Sequence, residues 1–146
     1  MKTAMQVLRS KPDLSIHCVA PDASVFDAIR KMSDLNIGAL LVMRQNDILG
    51  IVTERDYARK VVLEGRSSPD TLVSEVMTSP VQYVRPGTTT DECMAVMTES
   101  FVRHLPVLAD GEIVGVLSIG DLVKSIISEQ QVMIEQLQHY IAGDRV

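Results

Sequence analysis

Short runs of apolar, largely β-branched residues alternate along the chain with longer stretches in which apolar residues recur every three or four positions. The short runs predict buried strands and the longer stretches predict amphipathic helices. Strands are predicted at 16–19, 39–43 and 48–53. A helix over 25–35 is predicted behind the N-cap residue Ser24, and another begins directly after the third strand.

The same order of elements returns 65 positions later. Segments 19–57 and 84–122 align without a gap, and Val42/Val107, Gly50/Gly115 and Asp56/Asp121 are among the identities. Strands are therefore predicted at 81–84, 104–108 and 113–118, with a helix behind Thr89. Two copies of one supersecondary unit are the simplest account. The predicted fold is α/β (α+β), built from two β-α-β-β-α repeats of about 60 residues each, a size that buries only a small core.

A polar stretch at 64–70 separates the two copies. The predicted domains are residues 1–66, the first repeat with a short N-terminal helical lead-in, residues 67–127, the second repeat, and residues 128–146, an extension of the last helix. The lead-in loosely matches residues 72–77, which precede the second copy, with residues 7 and 8 standing where 76 and 77 stand.

The last helix is predicted from Asp121 to about Ala142. An apolar stripe runs along it, and at about 1.5 Å per residue the helix extends some 30 Å. One small repeat cannot cover that length, so we expect the helix to pack on a second subunit. The stripe consists of Leu122, Ile126, Met133, Leu137 and Ile141.

The composition excludes several classes of function. Apolar residues make up 46% of the chain and aromatic residues only 3%, so the core must be aliphatic. With a net charge of −5, the chain lacks the basic surface that nucleic-acid binding requires. No apolar run reaches 18 residues, so no membrane span is expected. The N-terminus lacks the apolar core of a signal peptide, and we expect a cytoplasmic protein.

Cysteine and histidine residues give no sign of a metal site or a catalytic centre. Cys18 and Cys93 lie 75 positions apart without a CxxC pair. We expect reduced thiols in or near the core, with a disulfide or redox switch as the alternative. His17, His104 and His139 share no metal-ligand spacing. No nucleophile–base pair is recognisable, so an enzyme has the least support.

The most informative feature is the duplicated point at which a strand runs straight into a helix. Each copy carries a glycine, a hydroxyl residue three positions later and an aspartate three positions after that. The start of a helix presents unpaired N–H groups and a partial positive charge, which suit a phosphate. An acidic residue can accept hydrogen bonds from a ribose diol, and glycine keeps bulk away from the meeting point of strand and ligand. The residues are Gly50, Thr53 and Asp56 in the first copy and Gly115, Ser118 and Asp121 in the second.

The same spacing also has a purely structural interpretation. Thr-x-x-Asp and Ser-x-x-Asp resemble capping boxes, in which the two side chains satisfy amides at the helix start. Ser24 with Asp27, and Thr89 with Glu92, show comparable spacing in this chain and are interpreted as caps alone. Capping and ligand binding are compatible in one residue, so both interpretations stay open for the junctions.

Together with the segment Arg103-His104-Leu105-Pro106-Val107, the two junctions resemble a tandem pair of cystathionine-β-synthase (CBS) domains. The likeness covers residues 5–127 and is greatest to small stand-alone bacterial signal-transduction proteins. It implies two repeats related by a pseudo-twofold axis, with an adenine nucleotide bound in clefts between them and no metal required. AMP is the first expected ligand, and ADP, ATP, NAD and S-adenosylmethionine are others. It also implies a homodimer formed through the CBS helices, to which we add the C-terminal helix.

Carried over to this sequence, the resemblance assigns roles to particular residues. Asp56 and Asp121 are expected to hold ribose hydroxyls, and Thr53 and Ser118 to meet phosphate or ribose. Arg55 can neutralise phosphate charge in the first site, where the second has Gly120, so the two sites should differ. The remaining expected ligand-binding residues are Ile16, His17, Gly38, Ala39, Pro80, Val81, Arg103, His104, Leu105 and Pro106.

The predicted function is a non-enzymatic adenine-nucleotide sensor in signal transduction. Nucleotide binding would favour one arrangement of repeats or subunits over another. The alternative is a structural or protein-interaction module that binds no ligand and whose junctions are only capped helices.

Overall fold

The computed structural model describes residues 1–143. The final three residues of the predicted extension, 144–146, lie outside the described residues. In chain order, the elements are α1 (Ala4–Arg9), β1 (Cys18–Val19), α2 (Val25–Leu35), β2 (Ala39–Arg44), β3 (Asp47–Thr53), α3 (Glu54–Tyr57, continued by a π-helical turn at Ala58–Val62), a 3-10 turn (Ser68–Asp70), α4 (Val73–Val76), α5 (Thr90–Ser100), β4 (His104–Ala109), β5 (Glu112–Ser118) and α6 (Ile119–Ile141).

The chain forms two compact units. The continuous unit is Ile16–Val81, and the discontinuous unit combines Met1–Ser15 with Gln82–Val146. This division differs from the predicted one along the sequence. The N-terminal lead-in α1 packs with the second repeat, and α4, which precedes the second repeat, packs with the first. The difference arises because each lead-in buries its apolar face in the core of the other repeat.

In the continuous unit, β1 pairs in parallel with β2, and β2 pairs antiparallel with β3. The helix α2 begins behind Ser24, whose hydroxyl accepts a hydrogen bond from the backbone N–H of Asp27, as predicted. The core is aliphatic and combines residues from both strands of the hairpin, α2, the π-helical turn and α4. Its buried members are Val25, Ala28, Met32, Leu40, Val42, Val52, Val61, Val73 and Val76.

The discontinuous unit repeats this plan around the antiparallel pair β4–β5. The helix α5 begins behind Thr89, which forms the predicted cap. In both repeats the hairpin register shifts at the same point, after Val42 and after Val107, which are 65 positions apart. The two predicted repeats are therefore confirmed, although the second keeps only a single bridge in place of its first strand. The core of this unit comprises Ala4, Val7, Leu8, Val84, Cys93, Met97, Leu105, Val107, Leu117 and Leu122.

The first strand of each repeat is shorter than predicted. Of residues 16–19, only Cys18–Val19 is a strand, and the prediction of a strand at 81–84 is wrong apart from a single bridge at Val84. The N–H of Val84 donates to the carbonyl of Pro106 at 3.0 Å, and its carbonyl accepts from the N–H of Leu108 at 2.9 Å. The chain then turns at Pro86, which has no N–H to extend the pairing.

Both cysteines are free thiols, as expected. Cys18 lies half-buried in β1, whereas Cys93 is fully buried on α5. Burial raises the pKa of the Cys93 thiol, and the nearby Glu92 carboxylate adds to this effect. Cys93 is therefore a protonated, apolar core residue.

The last helix, α6, has close to its predicted length. Of its predicted apolar stripe, Leu122 is buried and Ile126 is half-buried against the discontinuous unit. Met133, Leu137 and Ile141 are all more than half exposed.

Candidate functional site

In the continuous unit, β3 runs into α3 with no intervening loop, so the last strand residue, Thr53, is also the N-cap. Its hydroxyl accepts a hydrogen bond from the N–H of Asp56 at 3.0 Å, and Asp56 Oδ2 accepts one from the N–H of Thr53 at 3.1 Å. The N–H of Glu54 donates to the carbonyl of Gly38 at 3.1 Å. Ala39 pairs directly with Thr53 across the hairpin.

The discontinuous unit has the same arrangement at the start of α6. The hydroxyl of Ser118 accepts from the N–H of Asp121 at 3.1 Å, and Asp121 Oδ2 accepts from the N–H of Ser118 at 2.8 Å. The N–H of Ile119 donates to the carbonyl of Arg103 at 2.9 Å, and His104 pairs with Ser118. Both junctions are therefore capping boxes, as their spacing predicted, and a residue that caps a helix can also bind a ligand.

Each junction aspartate also meets a lysine. Lys60 Nζ lies 3.2 Å from Asp56 Oδ1 and donates to the carbonyl of Val76. Lys11 Nζ lies 3.0 Å from Asp121 Oδ2 and donates to the carbonyl of Val116. Lys60 reaches the carbonyl of Val76 in α4, a helix that begins more than ten residues later in the chain. Lys11 is 110 positions away from Asp121. Sequence spacing gave no signal for the Lys11 contact, which depends on the N-terminal segment packing with the second repeat.

The two carboxylates differ in the number of oxygens already engaged. Both oxygens of Asp56 have partners, because Thr78 donates its hydroxyl to Oδ1 at 3.3 Å in addition to the Lys60 contact. At Asp121, the backbone N–H of Ser118 and the Lys11 ammonium both contact Oδ2. Within residues 1–143, Asp121 Oδ1 has no hydrogen-bond or ion-pair partner. Asp121 therefore keeps an acceptor available at the start of α6.

The electrostatics of the second junction favour an ionised carboxylate beside a neutral imidazole. Burial pushes the pKa of Asp121 upward, but the hydrogen bond from Ser118 and the Lys11 ammonium outweigh it, and the pKa is lowered overall. Burial lowers the pKa of His104, although the Asp121 carboxylate acts in the opposite direction.

The junction glycines have a different role from the predicted one. A Cβ at Gly50 would lie 2.7 Å from Met77 Sδ and 2.9 Å from the carbonyl oxygen of Thr78, and a Cβ at Gly115 would lie 2.8 Å from Leu8 Cδ2. These positions make room for the lead-in segments, which the sequence did not predict. The loose match of residues 7 and 8 with residues 76 and 77 was the sequence signal for this packing.

The other predicted site residues fall into two groups. Some lie at a junction: Gly38 and Ala39 beside Thr53, and Arg103 and His104 beside Ser118. Others serve the sheets: the carbonyl of His17 accepts from the N–H of Leu41, Leu105 is fully buried in the core, and the carbonyl of Pro106 accepts from Val84. Arg55 and Gly120 are exposed on the first turn of their helices. Ile16, Pro80 and Val81 lie near the ends of the continuous unit.

The described residues set limits on other kinds of site. Within residues 1–143, no helix is long and apolar enough to cross a membrane. Over the same part of the chain, no three His, Cys, Asp or Glu side chains are grouped as metal ligands would be.

Comparison with known proteins gives matches along most of the chain. The chain is 38% identical over 149 residues to CBSX3, a mitochondrial CBS domain-containing protein of Arabidopsis thaliana, covering 97% of this chain and 72% of that protein. It resembles the structure of a signal-transduction protein with CBS domains from Burkholderia ambifaria, at 56% identity and a TM-score of 0.86, covering 88% of this chain and 96% of that one.

The fold also recurs in a more distant protein. The hexameric CBS-CP12 protein of bloom-forming cyanobacteria superimposes with a TM-score of 0.74 at 23% identity, covering 84% of this chain and 70% of that one. The sequence model of the CBS domain matches twice, at residues 8–63 and 73–128. These two matches fall on the two repeats, each of which ends its hairpin in a capped strand–helix junction, and the chain therefore belongs to the CBS domain family.

Proposed function

We propose that the protein is a non-enzymatic regulatory module that binds an adenine nucleotide at its strand–helix junctions. AMP is the first candidate, and ADP, ATP and NAD are the others. Binding would signal by shifting the population of conformations or subunit arrangements, because a ligand stabilises the state for which it has the greater affinity. The observation that carries the proposal is the second junction, where an ionised aspartate keeps one oxygen available beside a lysine ammonium and a helix start.

The chemistry of that junction suits a nucleotide. Asp121 Oδ1 can accept hydrogen bonds from a ribose diol, as acidic residues do in dinucleotide folds. The N–H of Ile119 donates to the carbonyl of Arg103 and that of Asp121 donates to the Ser118 hydroxyl, whereas within the described residues the N–H of Gly120 has no such acceptor. That N–H and the Lys11 ammonium supply positive charge and donors for a phosphate.

The two junctions should not bind equally. At the first junction, a ribose must compete with Lys60 and Thr78 for Asp56 Oδ1. Arg55, however, is exposed on the first turn of α3 and adds a charge that Gly120 lacks. We propose that the second junction is the tighter site for the ribose. The first junction then gains affinity as the number of ligand phosphates rises.

The test is isothermal titration of the full chain with AMP, ADP, ATP and NAD, repeated on Asp121→Asn and Asp56→Asn. Asparagine keeps an oxygen that can accept the capping hydrogen bond but removes the charge. We expect Asp121→Asn to weaken AMP binding about tenfold or more, because a hydrogen bond to a charged group contributes about 1.5–3 kcal/mol. Asp56→Asn should have a smaller effect on AMP binding.

Glu92→Gln is the matched control. Glu92 completes a capping box with Thr89 at the start of α5, so the variant perturbs the same kind of cap away from the junctions. It should bind nucleotide like the unmodified chain. If the intact protein binds none of the four ligands at millimolar concentration, the interaction-module alternative is favoured. If binding survives in the double variant Asp56→Asn/Asp121→Asn, the site assignment is wrong.

We propose further that the protein self-associates as a homodimer through the helices of its CBS repeats and through α6. Apolar side chains exposed on these helices support this, including Phe26 on α2, Phe101 at the end of α5 and Ile127 on α6. Light scattering on the full chain should give twice the mass of 16.1 kDa. A monomer mass at micromolar concentration would contradict the proposal.

A further inference from the structure

The helix α6 consists of an anchored part and a projecting part. Leu122 and Ser125 are buried, and the carboxylate of Glu129 accepts a hydrogen bond from the backbone N–H of Lys2 at 2.9 Å. From Gln130 to Gly143 every residue is exposed. At about 1.5 Å per residue, roughly 20 Å of chain extends beyond the last of these anchoring contacts.

The projecting part carries six large apolar side chains among polar ones, although nothing within the described residues buries them. Isolated helices shorter than about 12–15 residues are marginal in water. Several large apolar side chains exposed along one short stretch of helix mark an interaction site. The large apolar side chains on it, each 47–82% exposed, are Val132, Met133, Ile134, Leu137, Tyr140 and Ile141.

The exposed side chains follow the spacing of a coiled coil. One line of positions advances alternately by four and three residues, and every side chain on it is exposed. A strict repeat of this kind brings the line to one side of the helix and predicts a left-handed supercoil. In the seven-residue repeat abcdefg of a coiled coil, the positions on this line are a and d. Isoleucine occupies all three of the a positions. The line consists of Val123 (d), Ile127 (a), Gln130 (d), Ile134 (a), Leu137 (d) and Ile141 (a).

We propose that α6 pairs with α6 of a second copy of this chain as a parallel, in-register, two-stranded coiled coil over residues 123–141. This deepens the proposed self-association by naming its second interface, and it does not depend on nucleotide binding. β-Branched residues at a with leucine at d favour two parallel strands. Here isoleucine occupies the three a positions and leucine one of the three d positions, where the other two carry Val123 and Gln130.

Gln130 fixes the orientation of the pair. In a parallel, in-register coil, the two Gln130 side chains face each other and can exchange hydrogen bonds. In the antiparallel alternative centred on the same stretch, Gln130 would face Ile134 and its amide would be buried unpaired, at a cost of about 1–3 kcal/mol. A single polar residue in the core of a coiled coil commonly specifies register in this way.

The flanking positions favour a second copy over an unrelated helix. Charges at e and g normally select the partner of a coiled coil. In the projecting part these positions carry Gln131 and Gln138 at e and Met133 and Tyr140 at g. Without charges there, identical helices do not repel each other, and the apolar g positions widen the interface that two copies can bury.

Disulfide cross-linking tests the coil directly. In a full-length Cys18→Ser background, Leu137→Cys places a thiol at a core d position, where a parallel coil brings the two copies together. The matched control is Glu135→Cys, an exposed b position on the same helix turn. Under mild oxidation we expect Leu137→Cys to form a covalent dimer on a non-reducing gel and Glu135→Cys to remain mostly uncross-linked.

Several results would overturn the proposal. Equal cross-linking of the two variants would indicate random collisions. A disulfide between Leu137→Cys and Ile127→Cys chains in a mixture, with neither variant linking to itself, would indicate an antiparallel pair. A dimer mass by light scattering without any Leu137→Cys cross-link would remove the coiled coil but leave self-association through the CBS helices. A monomer mass without cross-linking would mean that another protein covers the helix.

Discussion

At the residue scale, Asp121 shows how one side chain can serve several neighbours. One of its oxygens accepts hydrogen bonds from the Ser118 N–H and pairs with Lys11, and the other stays available. Asp56 stands at the matching place in the first repeat, but neither of its oxygens is available, because the Thr78 hydroxyl and the Lys60 ammonium both contact Oδ1 and the Thr53 N–H donates to Oδ2. Lys60 is a neighbour one turn along the same helix and Thr78 is brought by tertiary packing, and together they distinguish two aspartates that the repeat aligns.

His104 gives a pH prediction at this scale. Burial lowers its pKa in the folded protein below the ordinary value of 6.5. Between that value and the lower folded pKa, the unfolded chain binds more protons, so stability falls as the pH decreases below about 6.5. We expect the free energy of unfolding to decrease from pH 7 to pH 5, and His104→Gln to make this decrease smaller.

Urea unfolding of both proteins at several pH values measures this effect. Asp121 titrates in a different window, because its pKa is lowered from 3.8 and the stability that it contributes is lost only in more acidic solution. An identical decrease between pH 7 and pH 5 in the two proteins would contradict the role given to His104.

At the scale of elements, each hairpin is packed by a lead-in segment that lies over a glycine. The backbone of Thr78 forms a two-way bridge with Ile51, with N···O distances of 3.0 and 2.8 Å. A Cβ at Gly50 would press on this backbone, whereas the atoms nearest to a Cβ at Gly115 all belong to the Leu8 side chain. A backbone contact cannot relax as easily as the tip of a side chain.

We therefore expect Gly50→Ala to destabilise the protein more than Gly115→Ala does. Overpacking of a well-packed core costs about 1–3 kcal/mol, and Gly50→Ala should lie in the upper part of that range. Urea unfolding gives both values. Gly87→Ala is the control, because a Cβ there has no neighbour within 4 Å. A larger loss at Gly115 than at Gly50 would show that Leu8 cannot adjust.

At the scale of the whole molecule, the order of the chain does not follow the compact units. The discontinuous unit takes α1 from the start of the chain, and Val7 and Leu8 are buried in its core. The N-terminal segment is thus a structural part of the second repeat and also supplies Lys11 to its junction.

Leu8→Ala tests this dependence. Leu8 is 2% exposed, so its truncation removes buried methyl groups and leaves a cavity, with an expected loss of about 2–5 kcal/mol in unfolding free energy. Leu14→Ala is the matched control, because Leu14 is half exposed in the same segment and should change stability by about 0.5 kcal/mol or less. Similar losses for the two variants would mean that α1 does not contribute to the core.

The repeated elements, the caps and the hairpins could all be predicted from the sequence. These depend on local periodicity and on residues within a few positions of each other, such as Ser24 with Asp27 or Thr53 with Asp56. The family resemblance and the positions of the two junctions followed from the same local pattern. The predicted strand at 81–84 was wrong, because a single bridge at Val84 is decided by partners more than twenty residues away.

The tertiary contacts established which lead-in packs with which repeat, why Gly50 and Gly115 lack side chains, and that Lys11 meets Asp121. These contacts join residues that are distant in the chain, and a local pattern carries no information about them, whereas Lys60 lies only four positions after Asp56 on the same helix. The helix α6 lies between these cases. Its length and its apolar stripe were predicted. Only the fold shows that burial ends near Glu129 and that the line of a and d positions from Val123 to Ile141 is exposed.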